Sequence, residues 1–264
     1  MGLFNFFKKE SEPPVKQTDN ILLAMPIFNN GANYDLLKLI ENLITQWGFD
    51  ITEVGGDNDA AGFKANGVEV ALASIQMQIP EDDIEWAAQY AYNWPNAIED
   101  LKGHTGHAIV TVWGGVGSPM GRHLVLSKVL CSILTSSNAV AIYHGTQSLL
   151  IPKNQYLQYN DLLAANKAPV NLWVYIGLRN SAAGNSAYTY GLKEFGKQEL
   201  EVIDSAVDLE DLYEFLGNIS AYILNNDVTL QSGETVGHTA DEKVSITASK
   251  GKFVEGETLK LGLK

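Results

Sequence analysis

The chain has 264 residues, 45% hydrophobic and 19% charged, with 31 acidic against 18 basic side chains for a formal charge of −13. That is the composition of a folded protein, and a chain this long buries roughly 70–75% of its unfolded surface without a metal or disulfide staple. The acid excess argues against nucleic acid as a partner, the lone Cys131 excludes an internal disulfide and a multi-cysteine zinc cluster, and no run of about 18 apolar residues offers a transmembrane segment.

The first residues read Met-Gly-Leu-Phe-Asn-Phe-Phe-Lys-Lys, too short and too weakly apolar for a secretory leader. Phe6 stands where the myristoylation pattern needs Ser or Thr. Residues 1–19, with Pro13-Pro14, read as a flexible N-terminal segment. An alternative for residues 3–9 is a weak membrane-surface foot, with Leu3, Phe4, Phe6 and Phe7 beside Lys8 and Lys9.

Residues 20–264 read as a single α+β domain. Residues 20–25 are an apolar run fit for a buried strand. Residues 34–47 place Leu36, Leu37, Ile40, Leu43, Ile44 and Trp47 on one helical stripe, stopped by Gly48. Residues 62–75 form a hairpin whose Asn66-Gly67 pair supplies the positive φ of a type I′ turn. A second helix spans 81–93, with Glu81, Asp82 and Asp83 in its first turn and Pro95 beyond its end. Residues 108–113 are a strand, and Ser118-Pro119 caps and opens the next helix. That helix is apolar on nearly every face over 124–134, so it is central. A buried strand follows at 139–143, a helix at 156–165 and a strand at 172–178. A polar loop at 180–186 precedes extended runs at 188–192 and 198–203. The last helix carries Leu209, Leu212, Leu216, Ile219 and Ile223 on one stripe behind an Asp208 cap. From residue 244, alternating runs around Lys250-Gly251-Lys252 read as edge strands.

The first half runs strand–helix–hairpin–helix–strand, and the second half repeats the rhythm. That is the order of ferredoxin-like modules. The expected fold is α+β, with two ferredoxin-like βαββαβ-type units sharing one core, as a pseudo-repeat over 20–115 and 139–240.

Four groups of residues invite a functional reading. Gly115, Gly117, Ser118 and Arg122 lie where a strand meets a helix, and amides there can hold an anion. The spacing matches neither the dinucleotide fingerprint nor a P-loop, so the plain reading is a well-capped strand-to-helix loop. Glu199 and Glu201 stand roughly 6.5–7 Å apart on one face of a strand. They can form a polar cluster with His238 suited to a carboxylate-pair hydrolase, or simply a solvated strand face. Trp86, Tyr90 and Trp94, with Tyr92, exceed what one helical stripe buries and suggest an interface. His104 and His107 lack a third ligand and read as a turn, so no metal is expected. No Gly-x-Ser-x-Gly is present, Cys131 sits in an apolar helix, and no catalytic residue or cofactor is assigned.

The order of several short motifs resembles a bacterial domain-of-unknown-function family, DUF family 4261. They are Gln78-Ile79-Pro80, Ala91-Tyr92-Asn93-Trp94-Pro95-Asn96-Ala97, and Gly103-His104 onward to Val112. Pro169 with Leu172-Trp173-Val174, Tyr190-Gly191-Leu192 with Phe195-Gly196, Glu199-Leu200-Glu201 and Ser232-Gly233-Glu234-Thr235-Val236-Gly237 continue the likeness. The resemblance implies a bacterial cytoplasmic protein, with a loose link to toxin–immunity neighbourhoods, and carries over no activity.

These readings favour a non-catalytic protein-binding or immunity-type module. The acidic surface points to a basic protein partner. The alternative is a small-ligand-binding protein or hydrolase using the glycine-rich loop and the carboxylate pair.

Overall fold

Alternating apolar residues and well-placed turns build two sheets in the computed structural model, which describes residues 21–115, 118–145, 147–237 and 243–263. The N-terminal segment, including residues 3–9, lies outside the described residues, as do Gly117 and His238.

The first sheet runs in the order β2 (Ile51–Gly56), β3 (Ala60–Ala65), β4 (Val68–Ile75), β5 (His104–Trp113), β1 (Leu22–Asn29), β6 (Ala139–His144) and β7 (Leu149–Pro152). The second runs β11 (Thr235–Gly237), β12 (Lys243–Lys250), β13 (Glu257–Leu261), β10 (Leu200–Ser205), β9 (Gly184–Tyr190) and β8 (Tyr175–Ser181).

Helices and antiparallel-rich sheets give the expected α+β class. The strand order within it is not ferredoxin-like. A ferredoxin-like unit, whose sheet is antiparallel, would seat β1 between β4 and β5. In the first sheet β1 lies between β5 and β6 and is antiparallel to both, while β2, β3, β4 and β5 form a meander. The 139–240 stretch is divided between the sheets, with β6 and β7 in the first and β8, β9, β10 and β11 in the second.

Several local expectations hold. Asn66 (φ 50°) and Gly67 (φ 79°) turn the β3–β4 hairpin. Helix α1 (Leu36–Trp47) ends on Gly48, whose amide returns to the Ile44 carbonyl. Its buried stripe is Leu36, Leu39 and Leu43, however, and Leu37 is 81% exposed, so the helix is rotated from the expected face.

Other boundaries shift for identifiable reasons. Strand β1 continues through Pro26 to Asn29, with Pro26 paired to Ile142. The second helix stops early, as α2 (Glu81–Ala88), and tight turns lead to α3 (Ala97–Leu101). The 156–165 region divides into α5 (Lys153–Leu157) and α6 (Asn160–Ala164). Leu172 and Trp173 fall on α7 (Val170–Trp173), a single turn behind Pro169, and not on β8. β13 is inserted between β10 and β12, so the outer strands of the second sheet are β11 and β8.

One continuous cluster of buried side chains draws on both sheets. Its axis is α4 (Pro119–Ser136), whose Leu130, Ile133 and Leu134 are fully buried. Each such side chain contributes roughly 1.5–3 kcal/mol. The last helix, α8 (Leu209–Asn226), lays Leu212, Leu216, Ile219 and Ile223 on the second sheet and follows Asp208, whose side chain makes no capping bond.

Candidate functional site

The expected site residues separate into structural and exposed groups. Glu199 and Glu201 are 1% and 0% exposed, so the solvated strand face expected for them does not form. The reason is position: β10 is an interior strand with both faces covered, and Leu200 and Val202 are buried as well.

Each carboxylate organises a turn. Glu199 accepts from the Thr189 hydroxyl at 2.7 Å and from the amides of Gly191 and Lys193 at 2.8 and 3.1 Å. Glu201 accepts from the amides of Lys252, Phe253 and Val254 and the Thr258 hydroxyl, and pairs with Lys260 at 2.7 Å. Burial opposes the Glu201 charge, but Lys260 and these donors outweigh it, so the carboxyl sits below its ordinary range. Acceptor capacity so occupied leaves little for a substrate.

In the glycine-rich loop, Gly115 adopts φ 74° and packs against Val68. Ser118 caps α4 as expected, accepting from the Gly121 amide at 3.2 Å, and Arg122 lies in the first turn. Ser118 borders a cleft of about 390 Å³, where Lys197 is already paired with Asp227 at 2.7 Å. His104 is a clamp: its Nε2 accepts from the Ile79 amide at 2.8 Å while Nδ1 faces the Leu101 carbonyl. His107 Nδ1 meets the Met77 carbonyl at 3.0 Å. Among the described residues no group of three or more His, Cys, Asp or Glu could hold a metal.

The aromatic group is divided. Trp86 is 54% exposed. Tyr90 is half-buried, edge-on to Trp86 and Tyr175 at 5.5 and 5.4 Å, and Trp94 donates to Asp100 at 2.7 Å. Tyr90 and Trp94 line a small recess with Tyr92, Asn171 and Tyr213.

That recess shares residues with a larger cleft of about 810 Å³, inside the roughly 300–1,000 Å³ range of ligand sites. One wall is α8. Glu210, Tyr213, Glu214, Gly217, Asn218 and Ala221 repeat at helical spacing and form a second stripe beside the core-facing one. Gly217 and Ala221 add little bulk to that wall. The opposite wall comes from Tyr92 and Asn93 after α2, Tyr159 and Leu162 near α6, and Asn171 on α7. Leu178 of β8 also lines it, and its amide donates to the Tyr92 hydroxyl at 3.4 Å. Tyr92 also meets the Tyr175 phenol, and Asn171 donates to Tyr159 at 3.0 Å. Burial, aided by Tyr159 and Tyr92, pushes Tyr213 up to about 12, so it remains a neutral phenol. Among the described residues no lysine, arginine or histidine lines this cleft.

Residues 188–262 match the family model described as Domain of unknown function (DUF4261). This part of the chain is similar to that family. No curated protein and no solved structure matches the chain. The matched segment contains β10, the buried Glu199 and Glu201, and all of α8, hence one wall of the cleft. Residues outside that segment supply the other wall.

Sequence reasoning reached Tyr92 but missed the cleft. The available signal was the second α8 stripe, in which Tyr213, Gly217 and Ala221 stand one turn apart beside the apolar residues. Its partners outside the helix, from Tyr92 to Leu178, are at least 32 positions away (210 − 178), too far for any local pattern to join them.

Proposed function

We propose that the protein is a non-catalytic binding module of the immunity type, which takes a basic protein partner in the tyrosine-lined cleft. The carrying observation is the lining itself: three tyrosines, three asparagines and two glutamates with no basic side chain among them. Tyrosine is rigid, amphipathic and enriched at binding hot spots, and an acidic wall steers a cationic partner. Half-exposed Leu162 and Tyr92 at the rim extend the contact surface. A bacterial, cytoplasmic setting belongs to the same reading and rests on the motif resemblance. The hydrolase alternative loses support from the geometry, because Glu199 and Glu201 are engaged by structural donors.

The test is site-specific photocrosslinking in the native host. A crosslinker at Leu162, on the cleft, should give a discrete protein adduct that Asn218→Arg abolishes. One at Leu37, exposed on α1, should give none. Equal adducts at both positions, or an adduct indifferent to Asn218→Arg, would overturn the proposal.

A further inference from the structure

We infer that the cleft recognises arginine in particular, with Glu210 and Glu214 as the pair that receives a guanidinium. This rests on the binding reading above and deepens it to one side-chain chemistry.

Glu210 and Glu214 lie one helical turn apart on the α8 face that lines the cleft. Like charges at this spacing oppose each other in a helix. No lysine or arginine occurs anywhere in α8, and neither glutamate has an ion pair within 4.0 Å among the described residues. Glu210, in the first turn, is favoured by the helix dipole, but Glu214 lies beyond that reach. A cation placed between the two relieves the repulsion.

Tyr213 stands between them in sequence, and Tyr159 lines the same cleft from the other wall. A planar guanidinium can lie on a phenol ring while its five N–H groups fork toward two carboxylates. An ammonium is compact and strongly hydrated and gains less from that geometry. Asn93 and Asn218, exposed on the two walls, offer donors and acceptors to the peptide backbone on either side of the arginine.

The test is calorimetric titration at about 0.15 M salt, where long-range charge effects are screened beyond about 8 Å. The probes are end-capped hexapeptides of arginine, lysine or citrulline. Arginine should bind, lysine should be at least about fivefold weaker, and citrulline should not bind. Glu210→Gln/Glu214→Gln should weaken the arginine peptide about tenfold or more, roughly the value of a charge-assisted hydrogen bond. Asp82→Asn/Asp83→Asn, which removes the same charge from exposed positions on α2, should leave binding unchanged. All four positions are exposed, so matched circular dichroism melts confirm folding. Equal affinity for arginine and lysine, or equal loss in the two double variants, overturns the inference. If the Leu162 adduct persists in that event, the binding proposal stands without the arginine preference; if it is absent too, both fall.

Discussion

Glu201 is a fully buried charge that the fold can hold because a loop is wrapped around it. The amides of Lys252, Phe253 and Val254 converge on it, and Lys260 balances its charge. Glu201→Ala leaves Lys260 unpaired and those amides unanswered, and should destabilise the protein by about 3–5 kcal/mol. Glu201→Gln keeps one acceptor and should cost about 1–3 kcal/mol. Urea unfolding monitored by tryptophan fluorescence measures both, and equal midpoints for wild type and Glu201→Ala would refute the role. None of this was legible locally. Glu199-Leu200-Glu201-Val202 has the alternation of a half-buried strand, while the ligands of Glu201 lie fifty residues onward. By contrast, Ser118-Pro119 and Asn66-Gly67 were readable, because a cap and a tight turn depend on neighbours a few positions away.

Elements show where local patterning stops being sufficient. Helix α4 was correctly placed at the centre because it is apolar all round, and only a buried site suits such a helix. α1 was located but misoriented: Leu37 and Leu39 compete for the core, and packing on α4 chose Leu39. Pro26 hid the second half of β1, since proline lacks a ladder donor, yet the strand runs on through it. The β8–β9 hairpin depends on another feature that no motif announces. Gly177 faces Tyr188 across the pair, and a Cβ there would lie 2.2 Å from the Tyr188 ring. That ring in turn stacks on Phe253 at 5.2 Å, so it has little room to retreat. Gly177→Ala should therefore cost about 1–3 kcal/mol by overpacking, read as a lowered melting temperature. Pairing it with Tyr188→Leu should restore part of the loss, and no restoration would place the strain elsewhere.

At the scale of the whole molecule, one large apolar cluster joins the two sheets, and two histidines are buried beside it. His123 packs between Trp173 and Phe195 at 5.5 and 4.2 Å, and His144 stacks on Tyr156. Burial depresses both, His123 to about 4 and His144 to about 3, from the ordinary 6.5. Below about 6.5 the unfolded chain therefore binds protons that the native state refuses. Stability is complete above that pH and declines as pH falls, by about 1.4 kcal/mol per pH unit for each histidine, until the native sites titrate near 4 and 3. Glu201, whose carboxyl is also depressed, adds its loss only at lower pH, beneath the ordinary glutamate value of 4.5. Urea midpoints at pH 7, 6 and 5 should fall accordingly. His144→Gln should flatten the slope by about one proton, and an unchanged slope would show that His144 titrates normally in the fold.

The lodging of β13 between β10 and β12 also orders events in time. Residues 257–261 are synthesised after the other described strands of the second sheet, yet they lie within it. Until they leave the ribosome, the nascent chain presents the bare rim of β10, with the Glu201 carboxylate waiting for Thr258 and Lys260. Premature termination shortly before residue 257 thus leaves an adhesive rim and an uncompensated charge together, which makes such fragments natural targets for chaperones and proteases.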